Sequence, residues 1–149
     1  MTIDISEVIP RLGELPPEEK RDILDILDNL EKAQARELAR ESFLDFVKAV
    51  WPAFIEGEHH MIMGEAFERI ESKDLNRLIV NMPPRHTKSE FASFLLPAWY
   101  LGKNPEKKVI QTAHTAELAV GFGRKVRNLF GSEEFQKIFP GVTLRADSK

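Results

Sequence analysis

Apolar side chains recur at helical spacing through most of the first half of the chain. Ile23, Leu24, Ile26, Leu27 and Leu30 form a stripe that continues to about residue 40, with charged residues filling the positions between them. That pattern belongs to a surface helix packed on one side. Pro16-Pro17-Glu18-Glu19 supplies its start, because the first turn tolerates proline and its positive end favours acids. Ser42 is placed to cap a short helix carrying Phe43, Phe46, Val47 and Val50. Trp51-Pro52 closes it, since the residue before a proline is pushed out of the helical region. A third helix is predicted over about residues 58–72, with Ile62, Ala66, Phe67 and Ile70 on one face. Residues 1–15 are only weakly periodic and read as a loose lead-in.

The pattern changes at residue 76. Leu78-Ile79-Val80-Asn81-Met82 is a short apolar run of the kind found in buried parallel strands, and Lys108 to Ala113 reads as a second strand. A proline-bearing loop over 83–87 leads into a helix from Lys88 to about Leu101, in which Pro97 should introduce a kink. Thr115 opens a further helix with Leu118, Phe122, Val126, Leu129 and Phe130 on one side. The tail from Phe135, with Pro140-Gly141, suggests the first half of a hairpin. The order strand, loop, helix, strand, helix predicts an α/β architecture: N-terminal helices followed by a parallel sheet with right-handed crossovers. The expected organisation is a helical, acidic lead-in over 1–41 and the first part of an α/β domain over 42–149.

Composition adds boundaries. The chain has 149 residues and no cysteine, which excludes disulfide staples and cysteine-ligated zinc and suits a reducing compartment. No apolar run approaches the roughly 20 residues needed to cross a bilayer. The first seven residues carry two acids and no basic segment, unlike a secretory signal. The formal charge of −3 conceals a division: residues 1–75 hold 18 acids and 9 bases, whereas residues 76–149 hold 6 acids and 12 bases. The second part is the better suited to a phosphate-bearing partner.

The chemistry is concentrated in Asn81-Met82-Pro83-Pro84-Arg85-His86-Thr87-Lys88-Ser89. A phosphate-binding loop needs a tight turn that exposes backbone N–H groups and a helix N-terminus aimed at the anion. It also needs a lysine for the terminal phosphates and a neighbouring hydroxyl for magnesium. Lys88 and Ser89 stand in those two places. The usual glycines, six residues before the lysine and one before it, are here Met82 and Thr87. Glycine reaches positive φ without strain and threonine does not. The loop must therefore take another backbone path or bind nucleotide weakly.

The segment Asn81 to Glu90 closely resembles the deviant Walker A motif of tailed-bacteriophage large terminase subunits, the ATP-driven motors that package double-stranded viral DNA. Leu96-Pro97-Ala98-Trp99-Tyr100-Leu101-Gly102 and Thr112-Ala113-His114-Thr115-Ala116-Glu117-Leu118-Ala119 are similar to stretches that follow it in that family. The resemblance extends from about residue 43 to 140. Many relatives have glycine where Thr87 sits, while a proline–arginine loop lacking the first glycine is a family habit. It implies a P-loop NTPase fold of the RecA-like (ASCE) kind, with Lys88 and Arg85 as the catalytic cations at the phosphates. Pro84, Arg85, His86, Thr87, Lys88, Ser89 and Glu90 would hold ATP, with Ser89 on the Mg2+ side. Residues 54–60 would help hold the adenine. The implied partners are double-stranded viral DNA, the small terminase subunit, the portal protein and further copies of the chain in the assembled motor. The implied location is the cytoplasm of the bacterial host, away from any membrane.

Hydrolysis in that fold also needs a Walker B strand ending in an acid, and residues 90–149 offer none. Glu133-Glu134 follows a helix and a glycine and reads as a solvated pair. The expectation is thus an N-terminal piece truncated before the Walker B strand, incompetent for turnover by itself. Two alternatives stay open: a non-catalytic interaction module with a vestigial loop, and part of another P-loop ATPase such as a helicase-like translocase. Adjacent His59 and His60 diverge by about 100° on a helix and make a poor metal pair. Arg124, Lys125 and Arg127 suit DNA phosphates or a solvated helix face equally. Trp51 and Trp99 read as core or domain-edge aromatics.

Overall fold

A computed structural model describes residues 16–144; the expected loose lead-in over 1–15 and the end of the tail over 145–149 lie outside the described residues. The elements are α1 (Pro17–Glu41), α2 (Phe43–Val50), α3 (Glu58–Glu71), α4 (Lys88–Glu90), a π-helical turn (Phe91–Leu95), α5 (Leu96–Lys103), α6 (Ala116–Phe130) and α7 (Glu133–Ile138). The chain divides into two units, with the boundary after Gln34 inside α1. In the first unit, the stripe residues Leu24, Ile26 and Leu30 are exposed. Lys32 pairs with Asp28 one turn away.

In the second unit, local signals place the helices and aromatic packing joins them. Ser42 Oγ caps α2 by accepting from the Asp45 amide, and Glu68 Oε1 of α3 accepts from the Phe43 amide at 2.7 Å. A carboxylate at that end also opposes the positive helix pole. Phe43 is completely buried and meets Phe67, Phe91 and Trp99 edge-on, with centroids 5.2, 5.5 and 5.7 Å away. Phe46, from the same helix face, packs against Phe135 and Phe139. The indole N–H of buried Trp99 donates to the Ala39 carbonyl. Trp51 stacks obliquely on Phe54 at the core's edge.

The expected parallel sheet is absent, which overturns the α/β, RecA-like reading of the fold: the described residues contain helices and no strand. Residues 78–82 and 108–113 are irregular, and no backbone hydrogen bond joins either to another described segment. An apolar run favours a strand only when a neighbour takes its N–H and C=O groups. Here Val80 and Met82 pack on the helical core, while Ile79 is 86% exposed and Ile110 is 91% exposed. The suggested hairpin from Phe135 is also corrected, since residues up to Ile138 form α7, capped by Ser132 Oγ.

The kink anticipated at Pro97 takes the form of the π-helical turn just before it, where the Leu96 N–H reaches back to the Phe91 carbonyl. Proline has no N–H and clashes with the carbonyl four residues back, and one extra residue in the turn relieves both problems. α4, the π turn and α5 thus run on as one rod from Lys88 to Lys103. The rod carries buried Phe91, Leu95 and Trp99 into the core, and its N-terminus stands where the polar loop ends. No described helix is long and apolar enough to cross a membrane.

Candidate functional site

The eight consecutive residues 83–90 line an open, solvent-facing hollow of about 350 Å³, within the size range of small-ligand sites. The chain curls around this space because two of its non-glycine residues adopt the left-handed conformation, Arg85 at φ 68° and Thr87 at φ 56°. A β-branched residue in that region is a genuine outlier, and such strain concentrates at functional sites. Thr87 therefore takes the positive φ that a glycine would take, although the sequence suggested a different backbone path for threonine.

The strained conformation is held from α3. His60 is only 5% exposed and lies between the Phe54 and Phe91 rings, with centroids at 4.8 and 4.9 Å. Its Nδ1 accepts from the Gly57 amide at 2.9 Å. The ring proton is consequently on Nε2, which donates to Thr87 Oγ1 at 2.7 Å. The Thr87 hydroxyl in turn donates to the His86 carbonyl at 2.7 Å. Burial, followed by the charge of His59 and to a smaller degree that of His86, lowers the His60 pKa from its ordinary 6.5; Glu56 acts in the opposite sense. A neutral imidazole is what the Gly57 contact requires. His86 Nδ1 donates to the Pro84 carbonyl at 3.0 Å and braces the turn.

Thr87 occupies the N-cap position of α4, yet its side chain makes no cap hydrogen bond. The backbone accounts for this: an N-cap side chain reaches the second or third helical amide from an extended conformation, as at Ser42, Thr115 and Ser132, whereas Thr87 is left-handed at φ 56°, ψ 7°. Among the described residues, the amides of Lys88, Ser89 and Glu90 have no backbone partner, and the first intrahelical bond runs from Phe91 to Thr87. Three N–H groups at the positive end of the rod thus stay available to an anion.

The charges around the loop are unevenly committed. Glu90 pairs with Lys125 of α6 at 2.6 Å, which offsets the one acid in the loop. Neither Lys88 nor Arg85 has a carboxylate partner among the described residues. Ser89 is exposed. Pro84 to Glu90, singled out in the sequence, are thereby brought around one space. Lys125 belongs to this cluster through Glu90, whereas Arg124 and Arg127 remain exposed on α6. Within residues 54–60, Phe54 and His60 are turned inward onto Phe91, and Ile55 is left exposed. Sequence reading missed His60 as a partner of the loop; the pair is 27 positions apart and no local pattern links them. No group of three or more potential metal ligands exists among the described residues.

Compared with known proteins, the chain matches no family model, no curated protein and no solved structure.

Proposed function

We propose that residues 83–90 bind the phosphates of Mg2+-ATP, and that the chain is the nucleotide-holding part of an ATP-driven motor of the phage large-terminase kind. The observation that carries the reading is the single open hollow lined by eight consecutive residues, two of them cations without carboxylate partners. The open amides of Lys88, Ser89 and Glu90 suit the same ligand. Lys88 would counter charge on the β- and γ-phosphates, Arg85 would meet the γ-phosphate, and the Ser89 hydroxyl would face Mg2+. Bound Mg2+-ATP supplies the phosphoryl group and shields its charge. The chain's own part is to position and to stabilise charge, which is most of what phosphoryl transfer asks of a protein.

This proposal needs the loop and the helical rod behind it and makes no use of a sheet. The resemblance of residues 81–90 to the terminase motif extends it to double-stranded DNA as the cargo. The small terminase subunit, the portal and further copies of the chain would be its partners in the host cytoplasm. Isothermal titration of Mg2+-ATP into wild type and Lys88→Ala tests it. The expected outcome is a loss of about tenfold or more in affinity, on the order of one charge-assisted hydrogen bond. Equal affinities would remove the loop from nucleotide binding.

A further inference from the structure

Residues 83–87 are fastened to the rest of the chain at one point. Among the described residues, their hydrogen bonds stay within the loop or its own helix, with a single exception: the Nε2–H of His60 donated to Thr87 Oγ1. Pro83 and Pro84 have no N–H to offer. His60 thus ties the loop to α3 across 27 positions. The tie works against strain, because Thr87 is β-branched and held at φ 56°.

The neutral ring fits where it lies and the protonated ring does not. Nδ1 accepts from the Gly57 amide, so a proton arriving there sets two donors against each other. The ring is buried between Phe54 and Phe91, which supply no hydrogen-bond acceptor. The titratable groups acting on it are His59 and His86, whose charge opposes protonation, and Glu56, which favours it. Glu56 itself is paired with Lys48 at 2.6 Å. His59 also meets His86 edge-on at 5.7 Å, so positive charge on both rings would push loop and α3 apart. A protonated His60 gains water and an acceptor by turning outward, and that motion takes Nε2 away from Thr87.

We infer that His60 is an acid-sensitive latch: neutral, it fastens the 83–87 loop to α3, and protonated, it lets the loop go. In the latched state the pKa lies below the ordinary 6.5, and the released ring, in water, returns to that value. The latch is therefore complete above pH 6.5 and weakens as the pH falls toward the lowered pKa. Across that window the ratio of released to latched loop rises about tenfold per pH unit, the slope of one proton. No ligand takes part, so the latch stands or falls apart from nucleotide binding.

Backbone and imidazole NMR of the ligand-free chain, followed from about pH 4.5 to 7.5, tests it. The expected result is a His60 ring midpoint below 6.5, with the Thr87 methyl and amide resonances moving at the same midpoint. Order parameters at residues 85–87 should fall on the acid side of it. The same transition in His86→Gln would show that the neighbouring ring is not its source. His60→Gln and His60→Phe should each abolish the pH dependence at Thr87. A titrating His60 with Thr87 unmoved would overturn the inference, since the ring would then come free on the Gly57 side alone. A Thr87 transition that survives the His60 substitutions, or disappears in His86→Gln, would overturn it as well.

Discussion

Gln111 Nε2 donates a 2.9 Å hydrogen bond to the Ser93 carbonyl. Ser93 lies four residues before Pro97, so its carbonyl is the one that a regular helix would have joined to the missing proline N–H. The contact ties the irregular segment 108–113 to the π-helical turn of the rod. Gln111→Ala should cost about 1 kcal/mol, the usual net worth of such a bond, read as a lower midpoint in urea unfolding. Pro97→Ala restores the N–H, and in that background the cost of Gln111→Ala should shrink.

Gly102 is buried against Phe139, and a Cβ built there would lie 2.6 Å from the Phe139 ring. That ring is packed on Phe46 and Phe135 and has little room to retreat. Gly102→Ala should therefore destabilise the second unit by about 1–3 kcal/mol, as overpacking does. Phe139→Leu in the same chain should recover part of the loss. Thermal unfolding of the two single variants and the double variant checks this.

Two groups shape the acid limb of stability. His60 has a lowered pKa, so its contribution is complete above the ordinary 6.5 and declines as the pH falls below it, where the unfolded chain takes up the proton first. For Glu71, burial raises the pKa. Hydrogen bonds from Lys103 and Asn104 together with the Lys103 charge outweigh it and hold the carboxyl below its ordinary 4.5. Its contribution is present above that value and is lost as the pH falls through the lowered one. Denaturation across pH 3–8 should show the first decline removed by His60→Phe and the second removed by Glu71→Gln.

Arg85 combines a left-handed backbone with an uncommitted charge. Asparagine tolerates that backbone region better than most residues, so Arg85→Asn separates the two properties. It should leave the unfolding midpoint within about 0.5 kcal/mol of wild type, as surface substitutions usually do. Mg2+-ATP affinity should drop several-fold, and Arg85→Lys should lose less. Titration calorimetry beside denaturation distinguishes a charge role from a backbone one.

The longer helices and the caps Ser42 and Thr115 were legible from the amino-acid order alone, whereas the short α7 with its Ser132 cap was not. Stripe spacing, Ser42, Trp51-Pro52 and Thr115 are local signals, and a helix satisfies its backbone within a few residues. The loop over 83–87 and its junction with a helix at Lys88 were legible for the same reason. The strands over 78–82 and 108–113 were not, because an apolar run does not state whether a neighbour will complete its hydrogen bonds. Among the described residues none does, and Val80 and Met82 pack on helices instead. Only the tertiary structure brought His60 to Thr87 and Lys125 to Glu90. Residue order thus determined which groups the loop carries. Packing across 27 and 35 positions decided which of them find a partner within the protein.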